Sequence, residues 1–121
     1  PRIKTDFLDL MISTAQGSLA ELEIEIIDET YSNIVMVAGG YPENYEKGNI
    51  ITGIPEDTNS TIIFHAGTKH VNNDILTNGG RVLSIVSKGQ GHNEAVSKSY
   101  KVIEKINYKN KNYRKDIGFD L

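Results

Sequence analysis

A lysine and an arginine, each placed close behind glycine, are the residues of this sequence best suited to chemistry. Lys69 follows Gly67, and Arg81 follows Gly79 and Gly80. Glycine lets backbone N–H groups approach a ligand because no Cβ stands in the way. An ammonium group supplies a point charge and a guanidinium a planar fork, a pairing suited to phosphate. The spacing therefore predicts an anion pocket on a β-rich scaffold.

The alternative for Lys69 and Arg81 is that both are solvated surface cations, as most lysines and arginines are. Two features favour the pocket. Both residues follow glycine closely, and both lie at a predicted strand boundary, where ligands commonly bind. The Gly-Gly-Arg sequence is a weak motif by itself, because neither the dinucleotide fingerprint nor the P-loop pattern occurs in the chain.

A second glycine-containing segment consists of Gly39, Gly40, Tyr41 and Pro42. It is either a plain turn or a flat stretch of backbone beneath a substrate, with Tyr41 as its wall. Taken alone, the turn is the simpler interpretation.

The histidines and the C-terminal charges give weaker signals. His65, His70 and His92 have no carboxylate cluster to complete a metal-ligand set, so no metal site and no catalytic residue is predicted. Arg114 and its neighbours are either solvated tail charges or part of a segment that docks on the body through Tyr113 and residues 117–118.

The predicted elements give an α+β fold in which about two helices flank a mixed or antiparallel sheet. We expect a helix over residues 6–16, capped by Thr5 and ended by Gly17, and a second helix that begins at Asn93 and extends to about residue 106. The expected strands cover residues 23–26, 32–38, 61–66 and 81–87, with a short edge strand at 49–52 and a hairpin at 71–76.

Composition limits the classes of protein that this chain can belong to. Its 121 residues suffice for one compact domain, and its net charge of −3 argues against nucleic acid as a partner. No apolar run reaches the length of a membrane span. The absence of cysteine fits a cytoplasmic protein. A chain that begins with Pro1 and not with Met indicates a piece of a longer polypeptide.

Six segments in order resemble the C-terminal part of the phosphoribosylamine–glycine ligase family, which belongs to the ATP-grasp superfamily. The resemblance covers almost the whole chain, and it depends on residues 1–8, 39–42, 45–48 with 51–53, 64–69, 77–83 and 113–118. It divides the chain into an end of the ATP-grasp module, residues 1–17, and a C-terminal domain, residues 18–121.

The resemblance implies a ligase of purine biosynthesis that joins glycine to 5-phosphoribosylamine, with ATP as the energy source, to give glycinamide ribonucleotide. It implies that ATP and Mg²⁺ bind upstream domains of the same polypeptide, so that this chain alone binds neither and is inactive. Here Lys69 and Arg81 would hold the 5-phosphate, and Asn78, Gly79 and Gly80 would approach it by their backbone. None of these residues would perform covalent or acid–base chemistry, because their work is positioning and charge neutralisation.

By a looser analogy with related amine-handling enzymes, Arg2, Lys4 and Asp6 would face the substrate. For Asp6 the alternative is an electrostatic role at the start of the helix. Gly39 to Pro42 would form the floor of the pocket.

Two functions from different classes follow. The first is the phosphoribosylamine-binding half of a ligase, and the second is a free-standing, non-catalytic module that binds a sugar phosphate.

If the chain normally packs against upstream domains, residues 7, 8 and 11 are left uncovered when it is alone. We then expect an exposed apolar patch or a non-native dimer.

Overall fold

The computed structural model describes all residues from 1 to 121 and has the element order of an α+β domain. The elements are α1 (Phe7–Gln16), a 3₁₀ turn (Leu19–Glu21), β1 (Thr30–Val37), β2 (Ile50–Ile51), β3 (Thr61–His65), β4 (Thr68–Val71), β5 (Asp74–Thr77), β6 (Arg81–Gly89) and α2 (His92–Lys105). The strands form two antiparallel three-stranded sheets, in the orders β1-β6-β3 and β2-β5-β4. The predicted fold class is confirmed. Neither helix of the structure is both long enough and apolar enough to cross a membrane.

The first sheet has one face in the core and one face open. Ile34, Ile85 and Ile63 lie side by side across its three strands, and all three are buried. Their face packs on α2, whose Ile103 belongs to the same core cluster. Successive residues of a strand point to opposite faces. Residues such as Val35, which pairs with Ser84, therefore face away from α2.

Helix α2 is held against the first sheet by buried hydroxyl groups as well as by apolar contact. Ser32 Oγ donates to the carbonyl of Ala95 at 2.9 Å and lies 2.8 Å from Ser99 Oγ. No buried side-chain nitrogen or oxygen atom lacks a hydrogen-bond partner. This matters because a buried polar group without a partner destabilises a core.

The two sheets meet where β3 bends into β4 and β5 bends into β6. The N–H of Gly67 donates to the carbonyl of Arg81 at 2.7 Å, and the N–H of Asn78 donates to the carbonyl of Gly67 at 2.7 Å. A Cβ on Gly67 would lie 2.6 Å from Gly79 Cα. Glycine is therefore required at this crossing because the two backbones touch.

Residues 1–28 form an N-terminal segment that is separate from the rest of the chain in its hydrogen bonding. Every hydrogen bond made by these residues ends within the same segment, as between the Ile27 N–H and the carbonyl of Arg2. Phe7, Leu8 and Met11 of α1 are 66%, 65% and 54% exposed. The predicted apolar patch is confirmed, and the predicted dimer stays a prediction.

Three sequence-based expectations were wrong: the starts of both helices and the presence of a strand at residues 23–26. The N-cap of α1 is Asp6, whose carboxylate accepts from the Leu8 N–H, while Thr5 Oγ1 accepts from the Glu25 N–H. Helix α2 begins at His92 after Gly91, not at an Asn93 cap. Residues 23–26 are not a strand, since their one ladder contact is an isolated bridge between Ile3 and Ile26. The alternating residues there have no neighbouring strand with which to form a continuous ladder.

The predicted C-terminal cap of α1 is confirmed. Gly17 has a φ of 72°, in the left-handed region that favours glycine. Its N–H donates to the carbonyl of Thr14, and the next N–H, of Ser18, donates to Ser13. This pair of bonds is the Schellman motif that ends many helices.

Candidate anion-binding site

Three adjoining clefts surround the open face of the first sheet and the segment that follows β1. The Arg81 cleft, of 640 Å³, is lined by Asn33, Val35, Tyr41, Tyr45, Ala66, Gly67, Gly80, Arg81 and Ser84. The Arg114 cleft, of 500 Å³, is lined by Val35, Val37, Tyr41, Arg81, Asn112, Tyr113 and Arg114. The Glu46 cleft, also of 500 Å³, is lined by Gly39, Gly40, Asn44, Tyr45, Glu46 and Asn110. Because Tyr41 borders the first two clefts and Tyr45 borders the first and third, the clefts form one continuous surface.

A β-bulge turns Arg81 towards these clefts. In the β1–β6 ladder Met36 pairs with Leu83 but Val37 pairs with Arg81, so Val82 is an extra residue. Without the bulge, strict alternation would place Arg81 on the same face as Leu83, which is completely buried in the core. Bulges commonly redirect a side chain beside a functional site. Here the bulge places an exposed guanidinium on the open face.

Two residues that follow α2, Tyr108 and Asn112, hold the end of β1 beside the bulge. The N–H of Val37 donates to the carbonyl of Asn112 at 2.8 Å, and the Asn112 N–H donates back at 3.1 Å. The phenol of Tyr108 donates to the same Val37 carbonyl at 2.9 Å. Burial raises the pKa of Tyr108 well above its ordinary value, so the phenol stays a donor.

Gly80 and two tyrosines form the wall next to Arg81. A Cβ on Gly80 would collide with the Tyr41 ring, and it would lie 3.1 Å from Tyr45 Cε1. The two rings are tilted by 59° with their centroids 6.1 Å apart. The peptide bond between Tyr41 and Pro42 is cis. Glycine at position 80 therefore lets an aromatic ring lie directly on the backbone that leads into Arg81.

The electrostatics of the Arg81 and Arg114 clefts differ from those of the chain as a whole. The chain carries a net charge of −3, yet neither cleft has an aspartate or glutamate among its lining residues. Arg81 takes part in none of the ion pairs of the structure. A guanidinium with no carboxylate partner beside open space is suited to hold an anion.

Some of the predicted site residues come together around Arg81. Tyr41, Gly80 and Arg81 line one cleft, and Gly39 and Gly40 line the adjoining one.

Other predicted residues of this region do not line the clefts. Asn78 and Gly79 lie at the crossing of the sheets, where the Asn78 N–H is already used by Gly67. Pro42 and Lys69 line none of the three clefts, and Lys69 is exposed on β4.

The N-terminal candidates have local partners within residues 1–28. Arg2 Nε donates to the carbonyl of Ile27 at 3.1 Å, and Lys4 Nζ donates to the carboxylate of Glu25, which raises the pKa of Lys4. Asp6 caps α1. None of the three lines a cleft with Arg81, and their role towards a substrate stays a prediction.

Several cleft residues were missed by sequence reasoning. Val35 and Ser84 are neighbours only because of the strand register, which the sequence alone does not reveal. Arg114 carried a signal, because the flanking Tyr113 and Ile117 indicated docking, and both do pack against the core cluster.

The fold and the clefts define an α+β domain with two arginines, Arg81 and Arg114, lining the open face of its main sheet. Residues 31–120 match the family described as "Phosphoribosylglycinamide synthetase, C domain", and the chain belongs to this family. The family resemblance of the sequence is thereby confirmed.

Proteins from distant organisms share this similarity. The phosphoribosylamine–glycine ligase of Fusobacterium nucleatum is 42% identical, over 98% of this chain and 28% of its own length. A bifunctional purine biosynthetic protein of Dictyostelium discoideum is 40% identical, over 98% of this chain and 15% of its own. The crystal structure of the phosphoribosylamine–glycine ligase from Thermotoga maritima matches with a TM-score of 0.71 at 32% identity, over 88% of this chain and 27% of that one. The chain thus spans 28% or less of the length of these proteins.

Proposed function

We propose that this chain is the part of a phosphoribosylamine–glycine ligase that holds phosphoribosylamine by its 5-phosphate. The observation that carries the proposal is the Arg81 cleft, in which an exposed guanidinium without a carboxylate partner is turned to open space by a bulge. Relatives that carry the name phosphoribosylamine–glycine ligase align over nearly the whole chain. The full-length enzyme would join this amine to glycine, with ATP converted to ADP and phosphate.

Each lining residue has a simple task in this proposal. The planar fork of Arg81 would donate two parallel hydrogen bonds to phosphate oxygens. The rings of Tyr41 and Tyr45 would limit the space for the ribose, because they form the wall beside Gly80. Lys69 would be a second cation only if its side chain reached across from β4, so Arg81 carries the proposal and Lys69 does not.

We propose that ATP and Mg²⁺ are held by the other domains of the full-length ligase. The chain contains no group of three or more histidine, aspartate or glutamate side chains placed to hold a metal ion. This chain would position the amine substrate and neutralise its phosphate, and it would be inactive alone.

We propose further that the exposed face of α1 packs against those other domains. Phe7, Leu8 and Met11 form an apolar surface that residues 30–121 do not cover. Surfaces of this kind mark sites of protein contact. Location in the cytoplasm also stays a prediction.

Titration calorimetry with glycinamide ribonucleotide, the stable product, tests the half-site. We expect binding to this chain, and a weakening of about 10- to 100-fold in Arg81→Ala, because hydrogen bonds to charged groups are lost. Lys115→Ala is the control, since it removes one positive charge from an exposed residue that lines none of the three clefts. ATP with Mg²⁺ is the control ligand and should not bind.

Two results would contradict this proposal. One is a wild-type chain that does not bind the nucleotide, and the other is an equal loss in Lys115→Ala and Arg81→Ala. Lys69→Ala, measured separately, shows whether the predicted second cation reaches the phosphate.

The alternative, a free-standing module that binds a sugar phosphate, is favoured by one observation. All the lining residues of the Arg81 cleft belong to residues 30–121. Sequencing of the parent gene separates the two functions, because only the ligase requires ATP-grasp lysines and metal-binding acids upstream.

A further inference from the structure

Arg114 shares a cleft with Arg81, although the two residues are far apart in the sequence. Both line the same 500 Å³ cavity, together with Val35 and Tyr41, which also border the Arg81 cleft. We propose that Arg114 is the second guanidinium of the anion site and holds the phosphate monoester of the ligand together with Arg81. This inference rests on the proposed function and adds a binding residue to it.

The backbone around Arg114 is fixed by contacts on both sides. Before it, Asn112 pairs with Val37 at the end of β1. At the residue itself, the phenol of Tyr100 donates to the Arg114 carbonyl at 2.9 Å. After it, the Ile117 N–H donates to the same phenol oxygen at 3.2 Å. The segment is therefore held against β1 and α2 rather than left as a solvated tail.

Asp116 accepts hydrogen bonds from the Arg114 guanidinium without using all of its donors. Arg114 Nε and Nη2 donate to the two carboxylate oxygens of Asp116 at 2.9 and 2.8 Å. A guanidinium has five N–H donors in a fixed fork. Three N–H groups consequently remain for a ligand, and Asp116 itself does not line the cleft.

Charge balance favours two guanidinium groups over one. A phosphate monoester carries a charge of about −1.5 to −2 near neutral pH. Arg81 alone leaves part of that charge unmatched, and Lys69 lines neither cleft. Arg114 is the other cation among the lining residues. Its ion pair with Asp116 offsets part of its charge but leaves three N–H donors for the phosphate oxygens.

The test compares variants by titration of the intact chain with ribose 5-phosphate and, separately, with glycinamide ribonucleotide. We expect Arg114→Ala to bind both about tenfold more weakly than wild type, and Arg114→Lys to recover part of the loss, because charge returns without the fork. Lys115→Ala is the matched control, since it removes the same charge from the adjacent residue, which lines neither cleft. It should bind within about twofold of wild type, as an exposed charge that does not contact the ligand is largely screened by salt.

Asp116→Ala separates ligand binding from a purely structural role. If Arg114 served only to hold the local shape of its segment through its ion pair with Asp116, then losing either partner would weaken binding equally. If Arg114 contacts the phosphate, Asp116→Ala should bind at least as tightly as wild type, because a carboxylate that competes for the guanidinium is gone. Circular dichroism of each variant verifies that the fold is retained.

The outcomes are distinct. If wild type and Arg114→Ala bind equally while Arg81→Ala loses affinity, the inference about Arg114 is overturned and the proposed function stands. If the wild-type chain binds neither sugar phosphate, both fail. An equal loss in Arg114→Ala and Lys115→Ala would show a general charge effect and would also overturn the inference.

Discussion

Residues 30–121 and the N-terminal segment of residues 1–28 have similar periodic patterns of apolar residues, but these residues are buried in the first region and exposed in the second. In the first region, side chains such as Ile34, Ile85 and Ile103 are buried in one core cluster. In the second, Phe7, Leu8 and Met11 recur at helical spacing but stay 66%, 65% and 54% exposed. A periodic pattern therefore shows which face of a helix is apolar, but not whether a surface is present to cover it.

The same contrast separates the cations of the two regions. Arg2 and Lys4 donate to acceptors within their own segment, the Ile27 carbonyl and the Glu25 carboxylate. Arg81 has no carboxylate partner and borders two clefts. Availability for a ligand thus depends on what surrounds a cation in the fold.

Truncating a core side chain and an exposed one should give the largest difference between the two regions. Ile85→Ala should lower the free energy of unfolding by about 2–5 kcal/mol, because it removes buried methylene groups and leaves a cavity. Leu8→Ala should change it by less than about 0.5 kcal/mol. All six tyrosines lie within residues 30–121 and the chain has no tryptophan, so tyrosine fluorescence during urea unfolding reports on that region alone.

The exposed patch itself can be tested in the same experiment series. A chain with Phe7→Ser and Leu8→Ser should bind less hydrophobic dye and sediment more nearly as a monomer than wild type. A wild-type chain that is monomeric and binds no dye would show that the patch is covered in solution, contrary to the structure.

Glycine-to-alanine substitutions should change the free energy of unfolding by an intermediate amount, and the change should again differ between the two regions. In Gly67→Ala the new Cβ would lie 2.5 Å from the Arg81 carbonyl oxygen, so the unfolding free energy should fall by about 1–3 kcal/mol. Gly17→Ala meets no atom within 4 Å, and its cost comes from the left-handed backbone. It should reduce the helical signal in circular dichroism while leaving the tyrosine-monitored midpoint unchanged. A shared shift of that midpoint would mean that the two regions unfold together.

Removing the phenol of Tyr108, which lies within residues 30–121, should have the smallest effect at neutral pH. Because burial raises the pKa of Tyr108 in the folded state, the folded chain retains this proton above pH 10, where the unfolded chain loses it. The stabilising contribution is complete below about pH 10 and is lost as pH rises, with a slope of up to about 1.4 kcal/mol per pH unit. Tyr108→Phe should lose about 1 kcal/mol at neutral pH with the hydrogen bond to Val37, and it should show a shallower alkaline decline. An unchanged decline in this variant would mean that other groups cause it.

Sequence reasoning was most accurate where a local rule decides the structure. The strand at residues 61–66 was predicted within one residue of β3, and the hairpin turn was placed where Asn72 adopts a positive φ of 55°. It failed for residues 23–26, because alternation describes a strand only if a second strand lies beside it.

The features of the candidate site also divide into those that a local rule predicts and those that depend on the fold. By itself the sequence predicted a cation beside closely approaching backbone, since Gly80 directly precedes Arg81. Tertiary structure alone decided which cations share a cleft. It brought Arg114 to Arg81 and left Lys69 outside, because the bulge at Val82 and the pairing of Asn112 with Val37 are contacts between distant segments. Residue types and local spacing are properties of the chain, whereas the direction of a side chain depends on register, which only the assembled sheet defines.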